Sequence, residues 1–228
     1  MRQIMRNLNK SITFKNIFFD FDGVLAESVR AKTEAFHDIY LPFGKDIAAK
    51  VVQHHLHHGG MSRFEKFKIY HEQYLGQFLS VSQAQILANR FSEMVLNKVI
   101  DSDEVPGSVS FLKQYHKKLN FWIITGTPTS EIEIIIKERG LNTYFKGSYG
   151  SPETKSHWTE FLIKEHDLQR KETLFLGDAT TDYEAAQGSR IHFALRDHQE
   201  NDGIFINYDG LRFKDFNELE AQIENCLE

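Results

Sequence analysis

The stretch Asn16 to Leu25, Asn-Ile-Phe-Phe-Asp-Phe-Asp-Gly-Val-Leu, limits what this chain can fold into more than any other. The apolar run Ile17-Phe18-Phe19 ends in two aspartates one residue apart, Asp20 and Asp22, followed by Gly23. A short apolar run bounded by turn residues reads as a buried strand. Such a strand delivers both carboxylates to the carboxyl edge of a sheet, where open α/β folds bind their ligands. Two neighbouring carboxylates there call for a cation, and a hard ion such as Mg²⁺ prefers oxygen ligands. One carboxylate can attack phosphorus while the other handles the proton.

Three more polar sites follow, each next to an apolar strand-like run. Phe121-Trp122-Ile123-Ile124 leads into Thr125-Gly126-Thr127. A hydroxyl and a backbone N–H there can donate to phosphoryl oxygens. Read alone, the segment is equally a strand-to-helix turn capped by Thr127 or Thr129. Gly150-Ser-Pro-Glu-Thr-Lys155 precedes a helix expected to reach Glu165. Lysine at a helix start opposes the macrodipole, as a residue facing an anion would, though a solvated surface lysine fits the fragment too. Thr173-Leu-Phe-Leu-Gly177-Asp178 ends a further strand, with Asp182 four residues on. That pair can supply metal oxygens or fix a lysine, or be a cap and a solvent-facing acid.

Taken together, Asp20-Phe-Asp22-Gly-Val-Leu, Thr125-Gly126, Lys155 and Gly177-Asp178 with Asp182 resemble, in order, the motifs of the haloacid dehalogenase superfamily. The likeness runs from about Asn16 to the C-terminus and is to the phosphatase and phosphomutase branch. It implies Asp20 as nucleophile and Asp22 as acid, then base. It implies Thr125 and the Gly126 amide as holders of the phosphoryl oxygens, and Lys155 as the neutralising cation. Gly23 and Thr127 are expected to line the substrate site. Mg²⁺ is the implied cofactor, held by Asp20, the Asp22 carbonyl and Asp178, with Asp182 bonding Lys155 or standing behind the metal. The dehalogenase and phosphonate-cleaving branches lack a carboxylate where Asp22 stands, and an ester needs an acid for its leaving alcohol.

The fold class expected is α/β: a Rossmann-like parallel sheet with helices on both faces and an inserted all-helical cap. The division is an N-terminal extension (1–15), a core (16–27 and 102–228) and a cap (28–101). Helix-like spacing covers Ser28–Leu41, Lys45–His57, Arg63–Leu79 and Ser82–Val99. Hinges are expected near Ala26–Val29 and Asp101–Pro106. Beyond them, helices Ser108–Lys118, Ser130–Arg139, Ser156–His166 and Asp182–Gln187 alternate with strands. Those strands are Phe121–Thr125, Tyr144–Tyr149, Thr173–Leu176 and Ile191–Ala194. Alternation of this kind means a parallel sheet with crossover helices. A strand at Ile204–Tyr208 and a helix at Phe216–Leu227 are expected to close the chain.

Composition excludes several function classes. The 228 residues are 41% hydrophobic and 26% charged, enough for a core and a second small domain. A net charge of −5 argues against nucleic acid or an anionic membrane as partner. The single cysteine, Cys226, has no internal partner, which suits a reducing compartment, and the cytoplasm is expected. No apolar run approaches the roughly 18 residues of a membrane helix. The basic segment Met1–Lys15 lacks a signal peptide's apolar centre. The 19 phenylalanines read as core rather than a base-stacking surface. A monomer is the simpler expectation.

In the expected cap, Gly59-Gly60-Met61-Ser62-Arg63 resembles the Gly-x-Ser-Arg turn of β-phosphoglucomutases, which implies a substrate contact for Arg63; a salt bridge is the alternative. His54 and His58 share a helical face at i, i+4, without a cysteine or carboxylate to complete a zinc shell. The leading expectation is a Mg²⁺-dependent phosphatase acting on a small phosphorylated metabolite. A phosphomutase, needing an anchor for a second phosphate, is the alternative. A non-catalytic binding protein on the same scaffold is the third.

Overall fold

The computed structural model describes residues 13–227. Six parallel strands form one sheet: β1 (Asn16–Phe19), β2 (Asn120–Pro128), β3 (Gly147–Ser151), β4 (Thr173–Gly177), β5 (His192–Arg196) and β6 (Leu211–Phe213). Their order is β3-β2-β1-β4-β5-β6. The chain steps outward through β2 and β3, then returns to the other side of β1 as β4. The carboxyl ends of β1 and β4 therefore flank the point where the order reverses, the ligand crevice of open α/β sheets.

Side-chain alternation explains why both faces are covered. Ile17 and Phe19, with Phe121, Ile123, Leu174 and Leu176, point into one apolar cluster. Phe18, Trp122, Ile124 and Phe175 point into the other. Helices α5 (Ser108–Tyr115), α6 (Thr129–Glu138) and α9 (Phe216–Ile223) cover the first face, through Phe111, Ile132, Ile135, Phe216 and Leu219. Helices α7 (Lys155–Glu165) and α8 (Thr180–Gly188) cover the second, through Leu162, Ile163, Ala185 and Ala186. Each fully buried Phe or Leu is worth about 1.5–3 kcal/mol relative to exposure, so strands apolar on both sides are stable only in such a sandwich.

Between β1 and α5 the chain is helical: α1 (Val29–Tyr40), α2 (Lys45–His57), α3 (Arg63–Ile69) and α4 (Val81–Ile100). Phe36, Tyr40, Val51, Phe67, Tyr70 and Phe91 fill this insert. Its entry and exit run side by side. Ala26 bridges Glu104, the Val105 amide donates to the Leu25 carbonyl at 3.1 Å, and the Glu27 amide donates to the Asp103 carbonyl at 2.9 Å.

Several elements depart from the pattern reading. The helix expected over Arg63–Leu79 stops at Ile69, passes through one π-turn over Tyr70–Tyr74, and ends at Gly76 with φ +64°. The apolar spacing persists through Tyr70 and Tyr74, so periodicity alone overruns the stop. Ile204–Tyr208 is not a strand. Phe205 anchors it by burial, and the Tyr208 hydroxyl donates to the Phe193 carbonyl at 3.0 Å, while Ile206 is 80% exposed. The edge strand is Leu211–Phe213, paired with β5. Residues Asn142–Tyr144 form a 3₁₀ turn, so β3 starts only at Gly147. Helix α5 ends at Tyr115, short of Lys118, and an α-helix over Phe216–Leu227 ends at Ile223 in a 3₁₀ turn. Of the expected extension, residues 1–12 lie outside the described part. Phe14 is buried, and its amide donates to the Cys226 carbonyl at 2.7 Å.

Candidate active site

All four sequence motifs meet at the carboxyl edge of β1, β2 and β4. Asp20 follows the last residue of β1 and is 3% exposed. Its Oδ1 accepts from the Phe21 amide at 2.6 Å, and its Oδ2 from Lys155 Nζ at 2.6 Å. Lys155 is the first residue of α7, after the Thr154 N-cap, which explains its side chain's aim across the strand ends. Its ammonium also donates to Asp182 Oδ1 at 2.6 Å. Asp182 is wholly buried, and its Oδ2 accepts from the Ala179 amide at 3.0 Å. Of the two places expected for Asp182, the structure shows the bond to Lys155.

Asp22 lies two residues beyond Asp20 and has different partners. Ser28 Oγ donates to Oδ1 at 2.6 Å, Thr127 Oγ1 donates to Oδ2 at 3.1 Å, and Lys32 of α1 forms a short ion pair with Oδ2. Lys32 also donates to Thr127 Oγ1 at 2.7 Å. Thr125 is buried, its Oγ1 accepting from the Thr127 amide at 3.3 Å. Asp20, Asp22, Thr125, Gly126 and Thr127 share one small cavity of about 50 Å³ with Lys32, Arg63 and Lys66 of the insert.

The insert is seated on this edge. A Cβ on Gly126 would collide with the Gly60 carbonyl, and a Cβ on Gly60 would strike Thr181 Oγ1 and Lys155 Nζ, so the turn packs this closely because Gly60 and Gly126 lack side chains. Thr181 Oγ1 donates to the Gly59 carbonyl at 3.0 Å. Arg63 is 4% exposed, and its guanidinium forks onto Glu131 of α6 at 2.8 and 2.7 Å and donates to Ser92 Oγ at 2.6 Å. Arg63 thus lines the cavity as half of a buried ion pair between insert and sheet domain. His54 and His58 lie 4.3 Å apart between ring centroids with their planes tilted by 34°, and His54 Nδ1 is 3.2 Å from the Tyr70 hydroxyl.

The charges do not balance. Asp20, Asp178 and Asp182 bring carboxylate oxygens within 4.8 Å of one another. Burial pushes Asp20 up, Lys155 pulls it down, and the charges of Asp178 and Asp22 push it up again. Asp182 is driven well up, by burial first. Lys155 loses from burial, yet Asp182 and Asp20 hold its ammonium above the usual lysine range. Asp22 differs: burial would raise it, but Lys32, Ser28 and Thr127 hold it below the usual carboxylate range. Three carboxylates against one ammonium leave a formal charge of −2, which one divalent cation would neutralise. An oxygen-rich, anionic hollow of this kind fits Mg²⁺. Gly23, at φ +76°, brings the chain so close to Asp178 that a Cβ would strike its Oδ2.

Several residues here were not singled out in the sequence. Lys32 and Ser28 lie four apart at the start of α1, and that spacing after the Asp-x-Asp-Gly segment was a usable signal. His198 Nε2 lies 2.8 Å from Asp178 Oδ2, and Asn201 Nδ2 donates to the Asp178 carbonyl at 2.9 Å. Both follow β5, and the same strand-edge logic that marks Asp20 would have reached them. Glu131 and Lys66 carried no such signal, because their partners are remote in sequence.

A family model described as haloacid dehalogenase-like hydrolase matches residues 17–195. The chain belongs to this family. No curated protein matches it. Among solved structures, the hydrolase is similar to a protein from Bacteroides vulgatus assigned as a β-phosphoglucomutase. The two share 18% identity over 95% of this chain and 90% of that one, with a TM-score of 0.75. It is also similar to a protein from Haemophilus somnus assigned as a phosphoglycolate phosphatase, at 18% identity over 91% and 97%, TM-score 0.69. A third is the hydrolase YfnB from Bacillus subtilis, solved with magnesium and described as showing interdomain movement, at 14% identity over 93% and 99%, TM-score 0.68. At these identities the likeness is one of fold, and it extends through the helical insert.

Proposed function

We propose that this hydrolase is a Mg²⁺-dependent phosphatase of a small phosphorylated metabolite, working through a phosphoryl group carried on Asp20. The observation that carries this reading is the unequal treatment of two carboxylates at one strand end. Asp20 is held by a lysine inside an acidic cluster, while Asp22 is held by hydroxyls and by Lys32 of the insert on the cavity side. Such a pair divides nucleophile from acid and base once Lys155 and a bound cation keep Asp20 ionised for attack and Asp22 takes up a proton on parting from Lys32.

In the first step an Asp20 carboxylate oxygen bonds to phosphorus as the ester oxygen leaves, and Asp22 gives that oxygen a proton, which it first has to gain by parting from Lys32, because that ion pair holds its carboxyl below the usual range. In the second step a water oxygen bonds to phosphorus, Asp22 takes the water's proton, and the Asp20–phosphorus bond breaks to release inorganic phosphate. Lys155 fixes the attacking oxygen and offsets its charge. Thr125 and the Gly126 amide are assigned to the equatorial phosphoryl oxygens, with Thr127 and Gly23 lining the same space. Mg²⁺, held by Asp20, Asp178 and the Asp22 carbonyl, would neutralise the charge of the phosphoryl oxygens. Asp182 is already committed to Lys155 and the Ala179 amide, so its part is to hold the lysine.

The helical insert, residues 28–101, is proposed to act as a cap that opens for substrate and closes to exclude water. The phosphomutase reading rests on Arg63 as an anchor for a second phosphate. Glu131 already takes both arms of that guanidinium, which favours hydrolysis. Among the described residues no helix is long and apolar enough to cross a membrane. A cytoplasmic monomer is proposed. The test is phosphate release from a broad panel of phosphorylated metabolites with Mg²⁺, with Asp20→Asn alongside. Turnover that needs Asp20 supports the phosphatase. Turnover that appears only with a bisphosphate primer makes the chain a mutase, and none with any substrate makes it a binding protein.

A further inference from the structure

Four cationic side chains approach the cavity or its floor, and three are already matched. Lys155 meets Asp20 and Asp182, Lys32 meets Asp22, and Arg63 meets Glu131. Lys66 of α3 is the exception. It is 2% exposed and lines the cavity beside Asp20 and Asp22. Among the described residues its polar contacts are with His55 alone, at 2.8 Å to Nδ1 and 3.5 Å to the carbonyl. Its Nζ lies 5.5 Å from the centre of the Phe36 ring. A buried ammonium without a counter-charge is costly, and cations so placed either lose their proton or wait for an anion.

His55 is the second, independent sign. It is buried, it lines the same cavity, and its Nε2 has no hydrogen-bond partner. With Nδ1 accepting from Lys66, the ring proton sits on Nε2. The pair therefore offers donors from two side chains and no acceptor. An orphaned buried donor costs about 1–3 kcal/mol, which a bound oxygen would recover.

We propose that Lys66 and His55 form an anion subsite for a second negatively charged group, carboxylate or phosphate, on the leaving-group side of the phosphoester. This deepens the phosphatase reading and rests on it for the orientation of the ligand. The site selects doubly anionic substrates, and it does so with residues other than Arg63. Burial, with the nearby charges of Lys32 and Lys155, pushes Lys66 down to about 7 against the opposing pull of Asp22 and Glu65, as expected of a cation awaiting its partner.

The test is titration calorimetry with Mg²⁺ present, using non-hydrolysable alkylphosphonates of increasing chain length. Each is paired as a methyl-ended and a carboxylate- or phosphonate-ended member. The wild type is expected to bind the anion-ended member of at least one pair about 10- to 100-fold tighter, the range of a charged hydrogen bond. Lys66→Met is expected to erase that margin and leave the methyl-ended members within about twofold. Lys66→Arg is expected to keep it. A wild type without a margin at any length overturns the proposal, and this comparison needs no variant to fold. A margin that survives in folded Lys66→Met also overturns it. Because binding is read without turnover, failure here is separate from failure of the phosphatase reading, which shows as absent Asp20-dependent phosphate release.

Discussion

At the scale of single residues, the site assigns different work to two aspartates that sequence alone presents as a pair. Asp20 sits among carboxylates with one lysine, whereas Asp22 faces hydroxyls and Lys32. If Asp22 moves the proton, its removal should matter most when the leaving group is a poor one. Asp22→Asn is expected to lower kcat about 10²- to 10⁴-fold on alkyl phosphates, the usual worth of acid–base catalysis. The first step, read as the burst of released phenol, should lose much less on an aryl phosphate, whose phenolate leaves without help, even though kcat also falls there because Asp22 serves the second step. Pre-steady-state kinetics on both esters checks this, and an equal loss in the first step on both would count against the acid role.

At the scale of elements, the structure stakes much on one ion pair. Arg63 of α3 and Glu131 of α6 join the insert to the sheet domain, with Ser92 of α4 bonded to both. Removing one partner leaves a buried charge alone. Glu131→Gln is expected to destabilise by about 3–5 kcal/mol in urea unfolding, and Arg63→Met with Glu131→Leu together by much less. A surface counterpart ties α7 to the end of α8. Arg170 forks onto Glu160 and donates to the Ser189 carbonyl. The hydrogen bond from Arg170 holds Glu160 down at about 2, against an ordinary value of 4.5. A depressed carboxylate contributes stability above its unfolded value and loses it as pH falls. The wild-type advantage over Glu160→Gln should therefore be full above pH 4.5 and fade toward pH 2. With both groups a third exposed, it should stay under about 1 kcal/mol. Thermal melts across that pH window read it.

At the scale of the whole molecule, what was legible followed from short-range rules. Strands ending in Asp-x-Asp-Gly or Gly-Asp are marked by their own residues, so the α/β class could be read directly, whereas Thr125 and Lys155, each an ordinary cap or surface residue when read alone, joined Asp20 and Asp178 only through the combined order of the motifs. What failed was set elsewhere in the chain. Ile204–Tyr208 has a strand's composition, but its ring and hydroxyl contacts, not backbone pairing, hold it. The partner of Arg63 is Glu131, 68 residues on, and no local pattern announces it. The formal excess of two negative charges at the centre is likewise a property of the assembled fold. It predicts that Mg²⁺ raises the melting temperature, by the equivalent of about 2.7 kcal/mol at a hundred times its dissociation constant, and that Asp178→Asn abolishes the shift. Calorimetric melts with and without chelator measure it. The central claim, that phosphoryl transfer passes through Asp20, is tested most directly by catching the group in place. Asp22→Asn, given an aryl phosphate whose first step needs no acid and slowed in the second step, would be acid-quenched during turnover and its peptides mapped by mass spectrometry. The account predicts a phosphoryl group on Asp20. Turnover by Asp20→Asn at the wild-type rate, or a phosphoryl group on any other residue, would contradict it.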